Sequence, residues 1–568
     1  MDNLSIAKTI LESYDEITIL KELQTGDFVI SIQGKEFLLF IPDENDPTSK
    51  ASVYLYNDDS IDYPHIMSYE RELSGILDIP DGKYRWVCLY EHESIVNSLC
   101  SFEEKIHDTI DRLIELLSMN DSQQEAEFQK EFMLYWNSFA TRSNDHQVYI
   151  SDDKVFLEMD AYYDKKTVRL IEKGLSLNDI DTRDKRGNRK WSQHIEAAIY
   201  YIPISDCREI LPPHKGFAWT GEEICNIVYG KQINHIDDNV FRLITSIEST
   251  TQSVILVFGI EKFHAYFAVQ VRFKNNARGT LLDKLVNDIA QVDTLRTHRK
   301  DYSYLCNIIG NDIGLLNKHI LLIGAGSLGS YIAFELAKNG ASKIKIYDSD
   351  SIEESNTLRW AYTGFGIGRN KADHIALLLG ILHPEIQIEA VSKNMDEKSL
   401  EAETKACDMI VVTVGNSDEQ LKFNRIFEKA SCSIPVIYAW LEAGGASSHI
   451  LFVNYQKAGC FECLYTNEMG TLVNNRANNY SSSMDDLIIR NGCGGTRAAY
   501  GTATVLRTTA AMLEIIKGIQ NHEIEESTLF DISPVAVSKS LTKFPMEACG
   551  CCGNRNQRPM CETDITKW

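Results

Sequence analysis

The sequence contains no run of about 18 apolar residues, so no membrane-spanning helix is expected. It has no internal repeat and no low-complexity block, which argues against a solenoid or a tandem array. It also lacks a basic excess. Its 57 Lys and Arg face 81 Asp and Glu, a net charge of −24, and general nucleic-acid binding is disfavoured on that balance. A secretory start is missing too. The opening stretch, MDNLSIAKTILESYDEITIL, is acidic and interrupted by charges, so a cytoplasmic location is expected. What is present is ordinary for globular proteins: 44% hydrophobic and 24% charged residues, which excludes global disorder and a collagen-like fibre. The 568 residues suggest three to five domains at roughly 100–200 residues each.

The negative charge is uneven. Residues 1–150 hold 29 acidic against 11 basic side chains, a net of −18, whereas the other 418 residues carry −6. An acidic N-terminal domain with a basic docking partner follows. Its residues 26–40, GDFVISIQGKEFLLF, predict a hairpin, KASVYLY (50–56) a further strand, and 101–118 an amphipathic helix. Residues 254–260 and 264–273 predict adjacent strands in a middle α+β region. From about residue 301 the pattern becomes βαβ alternation. The strands are HILLI (319–323), KIKIYD (343–348), IQIEAV (386–391), DMIVVTV (408–414) and IPVIYAW (434–440). The expected fold class is therefore α/β, with a Rossmann-like doubly wound parallel sheet at the C-terminal end.

Gly324, Gly326 and Gly329 lie between the first of these strands and a helix, and Asp348 ends the next strand, 24 residues after Gly324. Glycines permit a tight turn and close phosphate approach, and the carboxylate falls where a ribose is bound. A dehydrogenase needs nothing more. Here Asp350, Asn356, Arg359 and Lys371 follow directly, a set that suits a triphosphate and Mg²⁺, since carboxylates hold the metal and cations neutralise phosphate.

This series resembles the adenylation domain of ubiquitin-activating enzymes and their bacterial relatives ThiF, MoeB and HesA. The resemblance implies ATP binding and adenylation of a protein's C-terminal glycine. It assigns Asp348 to ribose, Asn356, Arg359 and Lys371 to phosphates, and Asp350 to the metal's surroundings. One departure stands out. The family's metal-binding aspartate falls in a segment that here reads Thr413-Val-Gly415-Asn416-Ser-Asp418, leaving Asp418 as the substitute. Arg296 and Arg299 are candidates for the arginine that the family carries upstream of its Gly-rich loop.

Six of the 14 cysteines fall within 460–463 and 549–561. Cys460/Cys463 and Cys549/Cys552 form two CxxC half-sites separated by 85 residues, and two half-sites make a tetrahedral structural zinc site. Cys551 and Cys561 compete for the second half-site. The Cys-x-x-Cys-Leu-Tyr stretch also resembles the zinc half-site of MoeB-like proteins. Cys493, in Arg490-Asn-Gly-Cys493-Gly-Gly-Thr-Arg497, lies on a glycine loop beside an arginine and is the candidate nucleophilic thiol.

Residues Tyr63-Pro64-His65 and Lys83-Tyr-Arg-Trp86-Val-Cys88-Leu-Tyr90, followed by a helix, resemble a ubiquitin-conjugating enzyme. The resemblance makes Cys88 the conjugating thiol, with Cys100 its rival. The implied organisation is a conjugating-like domain (1–148), a middle linker domain (149–300) and an adenylation domain (301–568). The whole is similar to the fusions of conjugating and activating enzymes found in CBASS anti-phage operons and in bacterial ubiquitin-like operons. That similarity implies a thioester relay from Cys493 to Cys88 and transfer to target-protein lysines. It implies, as the activated partner, the C-terminal tail of a ubiquitin-like protein or of a cyclic-nucleotide synthase, and a homodimer as the assembly. The rival readings are a ThiF-type sulfur-carrier adenylyltransferase and a non-catalytic nucleotide-binding scaffold.

Overall fold

The computed structural model describes the chain except residues 1–2, 44, 47, 57–62, 67–82, 91–98, 176, 178–190, 215–217, 231, 312, 363, 365, 446, 479–487, 491–495, 534–536, 540–545, 547 and 554–568. The chain divides into two compact units, residues 1–175 with 191–300, and 176–190 with 301–568. Among the described residues no helix is long and apolar enough to cross a membrane.

The first unit opens with a helix, Asn3–Glu12, and a five-stranded antiparallel meander: Ile17–Glu22, Phe28–Ile32, Lys35–Phe40, Ser52–Tyr56 and Tyr84–Val87. The expected hairpin and third strand are both present. The predicted helix runs Phe102–Leu117, started by a capping box in which Ser101 and Glu104 satisfy each other's backbone N–H groups. Ile106, Ile110 and Leu113 lie at helical spacing and pack with Leu11, Phe28, Phe37 and Val53 in one core.

The rest of this unit is a closed barrel of seven strands. Its order is Ser253–Ile260, Ala265–Phe273, Ile289–Arg299, Arg142–Tyr149, Thr167–Glu172, Leu157–Asp164 and Ser192–Pro203, which closes in parallel on Ser253–Ile260. The α+β reading of the middle region missed this closure because two of its seams are parallel pairings between distant segments. Trp136 locks the helix Phe132–Ser138 to the barrel, fully buried against Trp219 and Phe267 and donating to the Leu295 carbonyl. At the barrel's end Asp153 accepts from both Arg299 and Tyr266 at 2.7 Å. Arg299, a candidate for nucleotide binding on the sequence, is thus committed to an ion pair inside this unit.

The second unit is an eight-stranded sheet in the order Gln387–Val391, Lys343–Tyr347, His319–Ile323, Met409–Val412, Val436–Leu441, Ser448–Val453, Thr528–Ile532, Val537–Lys539. The first five strands are parallel and match the five expected from the alternation; the last three add antiparallel pairings. Sequence order reverses between His319–Ile323 and Met409–Val412. In such sheets ligands bind beyond the carboxyl ends of the strands at that reversal.

His449 lies fully buried in this sheet, with Nδ1 2.6 Å from Asp531 and Nε2 2.7 Å from Glu442. Burial works against a charged ring, but the bonds to the two carboxylates outweigh it and hold its pKa above the ordinary 6.5. The charged ring therefore stabilises the fold fully below pH 6.5, and that contribution is lost as pH rises through the raised value. Thermal unfolding of the wild type should lose stability as pH rises above 6.5 more steeply than that of His449→Gln; parallel curves would contradict this.

Candidate nucleotide site and cysteine cluster

The strand His319–Ile323 runs into the glycine turn. Gly324 has φ +97°, the left-handed region where a side chain is strained. A Cβ at Gly329 would lie 2.1 Å from the Gly324 carbonyl oxygen, so the glycine allows the helix Ser327–Lys338 to seat on the turn. That helix has no side-chain cap at its start, and its first N–H groups are left for an outside acceptor. Gly326, which stands at the helix start, lines a cavity of about 360 Å³ together with Gly324, Asp348, Asp350, Lys371 and Thr413 among others. Its volume falls within the roughly 300–1,000 Å³ usual for small-molecule pockets.

Asp348 accepts the Ala325 N–H at 2.6 Å and the Asp350 N–H at 2.8 Å. Burial pushes its carboxyl above the ordinary value, while these bonds pull the other way. The Lys371 ammonium, largely buried, lies 2.8 Å from Asp350. Asn370 caps the helix Lys371–Leu382 and ties its start to the carbonyls of Asp348 and Asp350. The intervening loop folds back on the glycine turn. Trp360 donates to the Ala325 carbonyl at 2.6 Å, and the Ala361 N–H bonds Ser330.

The other sequence candidates fall around this cavity rather than on its wall. Asn356 is buried and its side chain accepts the Glu353 N–H, so it shapes the turn that presents Arg359. Arg359 donates to the Tyr500 hydroxyl at 3.0 Å. Asp418 lies at the start of the helix Ser417–Lys429 and lines a neighbouring groove with Lys422 and Arg425. Glu419, its neighbour, lines the cavity together with Gly415. Asp350 and Glu419 both line the cavity and could offer hard oxygen donors to a Mg²⁺ ion. Cys493 lies outside the described residues, between the paired strands Ile488–Arg490 and Thr496–Ala498. Arg296, like Arg299, belongs to the barrel strand Ile289–Arg299.

The four cysteines named from their spacing converge. The Sγ atoms of Cys460, Cys463, Cys549 and Cys552 all lie within 4.8 Å of one another and are buried. The Cys460–Cys463, Cys460–Cys549 and Cys463–Cys552 separations are 4.0, 3.9 and 3.4 Å. A zinc ion with bonds of ~2.3 Å needs tetrahedral edges of about 3.8 Å, so this cluster could bind zinc. Cys551 is not part of the group; it faces the Asn424 amide at 3.5 Å. The same amide reaches Cys460 at 3.6 Å, and the Asn424 carbonyl accepts the Phe461 N–H, which orients the first half-site. Cys561 lies outside the described residues.

Two contributors were not singled out from the sequence. Asn370 could have been read as a helix cap, being a short polar residue before an apolar run. Tyr500 could not, because its partners Arg359 and Ser327 are 141 and 173 residues away.

Residues 309–551 match the ThiF family. The ubiquitin-like modifier-activating enzyme 5 of Bombyx mori is 25% identical over 184 residues, covering 30% of this chain and 45% of that protein. Its counterpart from Drosophila ananassae is 24% identical over 173 residues, covering 28% and 42%. The chain thus spans less than half the length of these relatives. The crystal structure of E. coli MccB with selenomethionine MccA aligns over 44% of this chain and 72% of that one, with 20% identity and a TM-score of 0.33. Sequence and topology together identify the C-terminal region as an adenylation domain of the ThiF family, related to ubiquitin-activating enzymes.

Proposed function

We propose that the C-terminal unit uses ATP and Mg²⁺ to adenylate the C-terminal carboxylate of a partner protein, and that two thiols carry the acyl group onward to a lysine amine. The observation that carries this reading is the uncapped helix start at the glycine turn, open to a cavity that also holds the Asp348 carboxylate and the Lys371–Asp350 pair. The partner carboxylate attacks the α-phosphorus and pyrophosphate leaves. The Cys493 thiolate attacks the acyl adenylate and AMP leaves. Cys88 takes the acyl group by thioester exchange, and an amine forms the amide as the thiol is released.

The surroundings of Cys88 support the second thiol. It follows the strand Tyr84–Val87, and its N–H bonds the His65 carbonyl at 2.7 Å. Burial, and then the Glu131 carboxylate, hold its pKa above the ordinary value. A raised pKa lowers the thiolate fraction, so Cys88 must lose its proton as it attacks the Cys493 thioester. The His65 ring lies 3.5 and 3.4 Å from Glu127 and Glu131, a charged patch able to receive a basic acceptor. The activated tail belongs, on this reading, to a ubiquitin-like protein or a cyclic-nucleotide synthase, the assembly is a homodimer, and the setting is anti-phage defence. Gly415 favours one competing reading, a nucleotide-binding scaffold, because no carboxylate stands at that point of the cavity wall.

A labelled partner with ATP, followed on non-reducing gels, tests the relay. Cys493→Ala should keep pyrophosphate exchange and form no thiol-sensitive adduct. Cys88→Ala should charge Cys493 and yield no amide product. Normal conjugation by Cys88→Ala, with loss in Cys100→Ala, would move the second thiol. Normal conjugation by both would end the conjugating role.

A further inference from the structure

We propose that Tyr500 is a positioning residue that holds the Arg359 guanidinium at the phosphate-facing start of the helix Ser327–Lys338. The inference rests on the reading that this cavity binds ATP. The Tyr500 hydroxyl makes two bonds in opposite senses. It accepts from Arg359 Nη1 at 3.0 Å and donates to Ser327 Oγ at 2.9 Å. One oxygen therefore fixes the cation against the first residue of the glycine-turn helix. The guanidinium carbon also lies 5.9 Å from the centroid of the Tyr500 ring.

The two partners differ in how firmly they are built. Arg359 projects from a loop on a long side chain with much rotameric freedom to lose. Tyr500 directly precedes the 20-residue helix Gly501–Gln520, which is anchored by buried Val505, Thr508, Met512 and Ile516. Its backbone is pinned as well. The Gly444 N–H bonds the Ala499 carbonyl, and a Cβ at Gly445 would lie 2.6 Å from the Tyr500 carbonyl oxygen. A rigid element thus sets the hydroxyl, and the hydroxyl sets the arginine. Arg359 keeps further N–H donors for phosphate, because a guanidinium carries five. A cation already in place loses less freedom when phosphate arrives.

The test is a double-mutant cycle on the full-length protein, read as the Kd of ATP·Mg²⁺ by calorimetry, with circular dichroism to confirm folding. Tyr500→Phe keeps the ring and removes only the hydroxyl. It should weaken ATP·Mg²⁺ by about 3–10-fold, and Arg359→Ala by about 10-fold or more. The double variant should match Arg359→Ala within about 2-fold, because the tyrosine acts only through the arginine. Adenosine, measured by displacement of a fluorescent ATP analogue, should bind wild type and Tyr500→Phe alike, since it has no phosphate. Multiplicative losses in the double variant, an equal loss for adenosine, or unchanged ATP affinity in Tyr500→Phe would each overturn the proposal. Failure of the wild type to bind ATP·Mg²⁺ at all would instead remove the nucleotide reading beneath it.

Discussion

Lys371→Ala lowers pyrophosphate exchange into ATP by more than about 100-fold, a loss of roughly 2.7 kcal/mol of transition-state stabilisation. The size follows from where the ammonium sits. Its side chain is 11% exposed, lines the cavity, and pairs with Asp350 at 2.8 Å. Charge that meets phosphate in a water-poor cleft acts more strongly than charge in bulk water. Removing it also leaves the Asp350 carboxylate uncompensated beside the bound triphosphate. Arg359→Ala should lower exchange by more than about 100-fold as well, since it too removes charge compensation. The measurement is exchange of labelled pyrophosphate in the presence of a partner tail. Activity of Lys371→Ala within about 3-fold of wild type would detach this lysine from the chemistry, and efficient reduction of NAD by the wild type would return the cavity to the dehydrogenases.

Cys463→Ser removes the metal and unfolds part of the C-terminal unit, on the scale of several kcal/mol. Elemental analysis of the wild type should give about one zinc per chain. The four thiols are not an appendage. Cys460, Cys463, Cys549 and Cys552 share a core with Tyr438, Tyr455, Phe461 and Leu529, so loss of the ion would open a buried, polar gap in packed surroundings. The metal would also fasten the turn at 460–463 to the segment at 549–552, closing a long loop that otherwise gains entropy on release. Cys551→Ser should leave metal content unchanged, because its Sγ is not among the four that lie within 4.8 Å of one another. Metal-free wild type that melts at the same temperature as protein purified with zinc would refute this account.

Legibility in the sequence tracked distance along the chain. The glycine turn, Asp348 and the five parallel strands were readable because each is a local pattern, a spacing or an alternation within a few dozen residues. The four cysteines were readable for the same reason, as two short motifs whose meeting is implied by zinc's coordination number. Choosing Cys552 over Cys551 followed from spacing, and the structure adds the physical difference: the Cys552 Sγ belongs to the group of four and lies 3.4 Å from that of Cys463, whereas the Cys551 Sγ is outside the group. Roles were less legible than positions. Asn356 looked like a phosphate ligand, and the structure adds a second task, since its side-chain oxygen accepts the Glu353 N–H and so builds the Arg359 turn. Asp418 was the nearest acid to the missing aspartate in sequence, but helix geometry turns Glu419 toward the cavity instead. The barrel was illegible because its closure depends on pairings that no local period announces.

The barrel's seam carries a consequence for the order of events during synthesis. Val148 pairs with Arg299, so the strand Arg142–Tyr149 lacks one of its neighbours until roughly 150 further residues have emerged. At translation rates of 5–20 residues per second, that wait is about 8–30 s. Through that interval the strand is half-paired at best, with its other edge open to chaperones or to a neighbouring nascent chain. The N-terminal meander needs nothing beyond residue 117 to complete its sheet and its packing helix, so it can fold first. Ribosome pausing once residue 299 has emerged should therefore raise the yield of native protein, whereas pausing before the strand Ile289–Arg299 has emerged should expose the waiting edge longer and lower it.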